Sequence, residues 1–350
     1  MNGERSNRII ANWLFIGVGM LIVQVLLGGI TRLTGSGLSI TEWDPIMGVI
    51  PPLNDQQWQQ AFKGYQQIAQ YKYLNNNFTL SEFKFIFFWE WFHRLWARLM
   101  GVVFLLPFTY FLVKGFFKKW MIMPLIMLFV LGGMQGIIGW LMVKSGLNDE
   151  NLYVSHFRLA IHFIAAMLLI GYTLIFGLSL IVPKEERLQK ASLRKFGLGI
   201  TALLVIQLIY GAFIAGLKAA NTAPTWPDIN GSFIPGGLFA NGFTESILHN
   251  PITIQFIHRM LAYILFILIL TWWWMARKEN VSASFDKAKK WPPILVITQV
   301  VLGILTVVNS TSIVPGKFGA FGWLAELHQL TGMLLLLSML SVIYILKPSA

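Results

Sequence analysis

The chain has 350 residues, of which 56% are hydrophobic and only 12% charged, with 27 Lys and Arg against 15 Asp and Glu for a net charge of +12. Soluble domains carry about 25% charged residues, so a soluble globular protein is excluded. A basic excess with no dense Lys/Arg stripe or aromatic platform points to lipid as the partner and argues against nucleic acid. The chain has no cysteine, which removes disulfides, thiolate metal sites and thiol nucleophiles. Metal or redox chemistry must then use His, carboxylates or a bound cofactor.

In chain order, apolar runs of about 20 residues, enough to cross a bilayer, lie near 10–30, 85–113, 120–143, 157–182, 196–217, 252–275, 292–310 and 323–346. The expected fold is an all-α polytopic membrane protein with eight transmembrane helices. The first run follows Arg5 and Arg8 but leads into Gly-rich sequence without a small-residue cleavage site, so it reads as a retained helix. With no Arg- and Ser-rich presequence, a bacterial cell inner membrane is expected over an organelle. Grouping the termini with the connections after the second, fourth and sixth helices collects 16 Lys/Arg and 5 acids on one side, leaving 11 and 10 on the other. By the positive-inside rule the termini are cytoplasmic. The long connections 31–84 and 218–251 then face outward, and their Gly, Pro, Asn and Trp content suggests ordered loops.

The chain repeats itself. At an offset of 183, Gln24, Gly28, Trp43, Ile46, Gly48 and Pro52 fall on Gln207, Gly211, Trp226, Ile229, Gly231 and Pro235. Offsets of 164 to 166 lay Glu90, His93 and Arg94 over Gln255, His258 and Arg259, Gln135 and Gly139 over Gln299 and Gly303, and His162 over His328. The expected division is residues 1–183 and 184–350, two pseudo-symmetric four-helix bundles. Every odd helix carries Gln-x-x-x-Gly, which reads first as helix packing. Every even helix carries one His about two turns from its outer end: His93, His162, His258 and His328.

A single intramembrane His is a weak signal, but four at matching depth in repeated hairpins point to ligation. Zinc wants three or four converging ligands, whereas two His across each bundle suit a flat metallocycle. Heme iron between His93 and His162, and between His258 and His328, is the natural candidate. Arg94 and Arg259, each next to its His, are candidates for heme propionates, with a structural or interfacial anchor as the competing role. Glu90 lies one turn before His93, while its repeat partner is the neutral Gln255. The two sites are thus expected to do different jobs, unless Glu90 serves only as the i+4 partner of Arg94. Glu326 is expected nearer the water boundary, and His156 and His249 are expected to face solvent.

With these residues in view, the chain resembles the heme A synthase family, in its cysteine-free branch that groups proteobacterial with mitochondrial members. The resemblance spans nearly the whole chain. It rests on Gly28-Gly-Ile-Thr-Arg-Leu-Thr-Gly-Ser-Gly-Leu-Ser39, Glu90-Trp-Phe-His93-Arg94, Gly139-Trp-Leu-Met-Val-Lys-Ser-Gly146, Phe157-Arg-Leu-Ala-Ile-His162, Gln255-Phe-Ile-His258-Arg259 and Leu327-His328-Gln329. It implies oxidation of one porphyrin methyl of heme O, through an alcohol and a gem-diol, to the formyl group of heme A for terminal oxidases. Heme B would sit in the C-terminal half on His258 and His328. Heme O would enter the N-terminal half at His93 and His162, with Glu90 as the catalytic carboxylate. Implied partners are a heme O synthase, an electron donor and membrane lipid, and a homo-oligomer is compatible. The rival readings are a diheme b-type cytochrome using the same four His, and a repeat-built transporter binding protons.

Overall fold

The structure, a computed structural model, describes residues 3–42, 47–187, 190–279, 282–313 and 318–347; Trp43 and Ile46 of the repeat lie outside them. Its helices are α1 (Gly3–Leu33), α2 (Asp55–Tyr65), α3 (Ala69–Leu74), α4 (Leu80–Val113), α5 (Lys119–Lys144), α6 (His156–Ile181), α7 (Ala191–Gly216), α8 (Phe243–His249), α9 (Pro251–Ala276), α10 (Ala283–Ala288), α11 (Trp291–Val308) and α12 (Ala320–Ile345). Among the described residues eight helical spans are long and apolar enough to cross a membrane, and no extended strand forms. The expected all-α polytopic class is the one observed.

Local chemistry sets the helix ends. Thr79 and Glu82 form a capping box, so α4 starts at Leu80, earlier than the apolar run alone suggests. His93 therefore lies nearly four turns into its helix instead of two, because the first part of α4 stands beyond the apolar run and packs on α2. At α9, Asn250 accepts from the Ile252 and Thr253 N–H groups and Pro251 takes the first helical position, where a missing N–H costs nothing. Pro107 and Pro124 sit inside α4 and α5, where packing partners in a membrane bundle tolerate them. Just beyond α1 and α7, Gly35 (φ 71°) and Lys218 (φ 54°) both turn into the left-handed region, at positions 183 apart.

In the first half α1 packs on α4 and α6, and α5 packs on α6. In the second, α7 packs on α9 and α12, and α11 packs on α9 and α12. Contacts of α6 with α7 and α12, and of α1 with α12, join the two sets. The main core lies along this seam and includes Val18, Ile170, Leu204, Trp272, Met333 and Leu336. Apolar side chains such as Leu106, Val113, Met123 and Ile137 on α4 and α5 point outward and exposed, which suits a lipid surface. The described residues of the connection 31–84 include α2 and α3 and pack on the start of α4. Phe62 stacks on Phe83 with centroids 5.0 Å apart, and Lys72 pairs with Asp149 at 2.8 Å, fastening α3 to the segment after α5.

Trp272 is fully buried in the main core, and its indole N–H donates to the Leu193 carbonyl at 3.1 Å. Trp272→Ala should cost about 3–5 kcal/mol and lower the thermal unfolding midpoint in detergent, while Trp272→Phe, which keeps most of the volume, should cost less. Unchanged melting of the Ala variant would contradict this packing.

Candidate functional site

The four Gln-x-x-x-Gly motifs and the four repeated His meet pairwise. Gln24 Nε2 lies 3.3 Å from His93 Nε2, Gln135 Nε2 lies 3.2 Å from His162 Nδ1, Gln207 Nε2 lies 3.3 Å from His258 Nε2, and Gln299 Nε2 lies 3.4 Å from His328 Nε2. The glycine one turn on faces the same ring. A Cβ at Gly28 would stand 3.1 Å from His93 Cε1, at Gly139 2.9 Å from His162 Cε1, at Gly211 3.3 Å from His258 Cε1 and at Gly303 2.9 Å from His328 Cε1. The packing expected of this motif is thus specific: the first helix of each hairpin opens a slot for the imidazole of the second, and a side chain there would crowd the ring.

The slots also orient the rings. His328 Nδ1 lies 3.1 Å from the Gln299 main-chain carbonyl. A carbonyl only accepts, so Nδ1 carries the proton and Nε2 keeps its lone pair, the arrangement that prepares a histidine for a metal. All four Gln side-chain oxygens are buried without a partner, as is Nδ1 of His93 and of His258. At Gln24, Gln135 and Gln207 a half-turn of the amide would bring its oxygen to the ring to accept an imidazole N–H, whereas the Gln299 amide N–H already faces the unprotonated Nε2 of His328.

His258 and His328 face each other with ring centroids 6.4 Å apart and planes at 70°. They line a cavity of about 760 Å³, together with Gln207, Gly211, Gln299 and Gly303, a size within the usual range of about 300–1,000 Å³ for cofactor sites. With nitrogen–metal distances of about 2 Å, two imidazoles sharing one ion have centroids about 6 Å apart, so the pair fits a common axial ion. Among the described residues no cluster of three or more His, Cys, Asp or Glu could hold a metal. A bare zinc ion would therefore lack donors, whereas an ion already held in a macrocycle needs only these two. His93 and His162 lie within electrostatic range of each other in the first half.

Glu90 is buried, at 2% exposure. One carboxylate oxygen accepts from Arg94 at 2.6 Å, and the other accepts from the Ser39 hydroxyl at 2.7 Å and the Ile40 N–H at 2.9 Å. The structural pairing with Arg94 considered above is therefore present, and it fastens the loop that leaves α1. In the second half Gln255 donates to the Ala219 and Ala220 carbonyls at 2.7 and 3.1 Å and accepts from Arg259. Arg259 also donates to the carbonyls of Ala223, Thr225 and Asp228. These bonds give Arg259 the anchoring role that competed with propionate pairing, and they give Arg94 part of the same role through the Ile40 carbonyl.

Two expectations need correction. Glu326 does not lie at the water boundary: it is 1% exposed, neither carboxylate oxygen has a hydrogen-bond partner, and the carboxylate rests against Gly29 where any Cβ would overlap it. The crossing of α1 over α12 covers it, and Arg32 is its electrostatic counterpart. The doubled glycine at 28–29 was the available signal, since only one of the two serves His93. His156 is half-buried, where full exposure to solvent was expected. Its Nε2–H donates to the Leu248 carbonyl at 3.0 Å and its ring packs against Phe157 and Phe213, seating α8 on α6. His249 is exposed, as expected. Sequence reasoning also passed over Arg32 and Lys218, which line the cavity.

Arg259→Leu leaves the carbonyls of Ala223, Thr225 and Asp228 without their charged donor. At about 1.5–3 kcal/mol per such bond, protease cleavage within 223–242 should speed up at least tenfold, with Arg259→Lys intermediate. Wild-type cleavage rates in the Leu variant would refute the anchor.

A profile of the family described as Cytochrome oxidase assembly protein matches residues 11–340. The chain is 43% identical over 319 residues to a protein named Heme A synthase from Parvibaculum lavamentivorans, covering 91% of this chain and 90% of that one. It is 40% identical over 336 residues to a Heme A synthase from Paramagnetospirillum magneticum (95% and 92% covered), and 41% identical over 315 residues to one from Bartonella tribocorum (89% and 88%). With near full-length matches at this identity and paired histidine slots in its helices, the chain belongs to the heme A synthase family.

Proposed function

We propose that the protein oxidises one methyl group of heme O to a formyl group, giving heme A for terminal oxidases. The observation that carries this reading is the facing pair His258 and His328 across a cavity of cofactor size, set beside a second pair, His93 and His162, built from the same Gln and Gly parts. One pair holds a resident heme B and the other receives the substrate. The resident heme supplies one-electron transfer when bound.

Two successive two-electron oxidations each replace a C–H bond of the methyl carbon by C–OH, giving the alcohol and then the gem-diol and taking up one oxygen atom apiece from a small co-substrate outside the chain; the diol loses one of these oxygens as water to leave the formyl group. His93 and His162 position heme O, their rings held against Gly28 and Gly139. Glu90, one turn from His93 and shielded from water by the Ser39–Ile40 loop, takes the protons released beside the methyl carbon. Arg94 keeps that carboxylate in place and Arg259 keeps the loop closed over the second site. The charge asymmetry of the connections supports a bacterial inner membrane location with cytoplasmic termini and the histidines toward the periplasmic side. Heme O arrives from its synthase, and a separate electron donor serves the site.

Identifying by mass the hemes extracted from the purified protein tests the assignment: heme B with heme O or heme A supports it, and two hemes B alone would identify a diheme cytochrome instead. Glu90→Gln keeps an acceptor for Arg94 but removes the proton site. It should retain heme B and accumulate heme O or its alcohol; unchanged heme A output would end the role given to Glu90. For the division of labour, Gly303→Val should deplete heme B, whereas Gly139→Val should leave heme B bound and stop heme A production.

A further inference from the structure

We propose that Arg32 and Lys218 form a carboxylate clamp at the outer mouth of the His258/His328 cavity, built to hold the acidic side arms of the metallocycle bound there. The clamp rests on the heme B reading above and deepens it. Both residues line the cavity, Arg32 from the last turn of α1 and Lys218 from the residues just after α7. The two arginines adjacent to the histidines are committed elsewhere, Arg259 to loop carbonyls and Arg94 to Glu90. The Arg32 guanidinium, by contrast, has no hydrogen-bond partner among the described residues, and its main-chain carbonyl lies 3.5 Å from Lys218 Nζ.

Lys218 occupies a left-handed backbone position, φ 54°, which is strained for any residue with a Cβ. Its repeat counterpart is Gly35, at φ 71° and without strain. A lysine kept where glycine is easier marks the side chain as the purpose of the position. Its ammonium, on an exposed side chain, sits 5.0 Å over the Tyr153 ring and within electrostatic range of Arg32. Two cations that disfavour each other at the lip of a largely apolar cavity form an anion site awaiting its ligand. Glu326 faces Arg32 from α12 without a hydrogen bond to it, so it offsets at most one of the two charges. The repeat counterparts of Arg32 and Lys218, Ala215 and Gly35, line the same cavity and carry no charge.

The test uses the full-length protein and its Arg32→Leu, Lys218→Gly and double variants, produced under heme depletion and titrated in detergent with ferric heme B and with its dimethyl ester. Wild type should bind the diacid at least tenfold more tightly than the ester. Each single variant should lose about tenfold for the diacid and little for the ester, and the double variant should bind both alike. Arg32→Lys should recover most of the diacid preference. Lys218→Gly relieves the backbone, so the heme-free variant should melt no lower than wild type even as heme binding weakens; a lysine with only a structural role would lower both together and overturn its part in the clamp. Equal binding of acid and ester by wild type, with a bis-imidazole absorption spectrum, would overturn the clamp alone. Absence of that spectrum from wild type would overturn the heme B assignment and the clamp with it.

Discussion

An imidazole inside a membrane helix needs two things that hydrocarbon cannot provide: a polar partner for its nitrogens and room for its ring. Both come from one motif on the neighbouring helix, a glutamine amide at the nitrogen and a glycine one turn away at Cε1. The close approach of the helices in each hairpin depends on this fit. Bulk at the glycine would push the ring out of its slot, and loss of the amide would leave a buried nitrogen with one fewer partner, a cost of about 1–3 kcal/mol.

The loops that follow α1 and α7 obey a second constraint of the same kind. One turn before each of two histidines, at 90 and 255, a polar side chain is bridged to an arginine four residues on, and together they hold the backbone that leaves the preceding helix. The polarity is opposite in the two halves. Glu90 meets a loop that offers donors, Ser39 and Ile40, while Gln255 meets one that offers the Ala219 and Ala220 carbonyls. A carboxylate cannot donate to carbonyls, so the Glu/Gln difference satisfies loop hydrogen bonding whatever further part Glu90 plays in chemistry.

Much of this was legible in the chain. Apolar length marked the eight spans, and recurrence at fixed offsets exposed both the histidines and the Gln-x-x-x-Gly partners that hold them. What escaped were contacts between segments far apart in sequence with no shared pattern. Glu326 is buried because α1 crosses α12, some 300 residues away, and neither periodicity nor charge announces that crossing. His156 looked like a helix-end residue in water because α8, the element that covers it, has no apolar run of its own. The early start of α4 was written locally, in Thr79 and Glu82, but a hydropathy reading discounts a polar cap. The anchoring bonds of Arg259 go to main-chain carbonyls, which carry no side-chain signature at all.

The central place of α12 bears on how the molecule comes together. Although it follows the other seven spans in the chain, it is the most enclosed of them, touching α1, α6, α7 and α11. During synthesis the earlier helices must wait in the bilayer with the surfaces that will receive it still turned toward lipid, including Gly29, which meets Glu326, and Gln299, which meets Gly332. The hairpins carrying His93, His162 and His258 can each complete their slots as they emerge. The fourth slot and the part of the seam that α12 forms with α1, α6 and α7 close together when it docks.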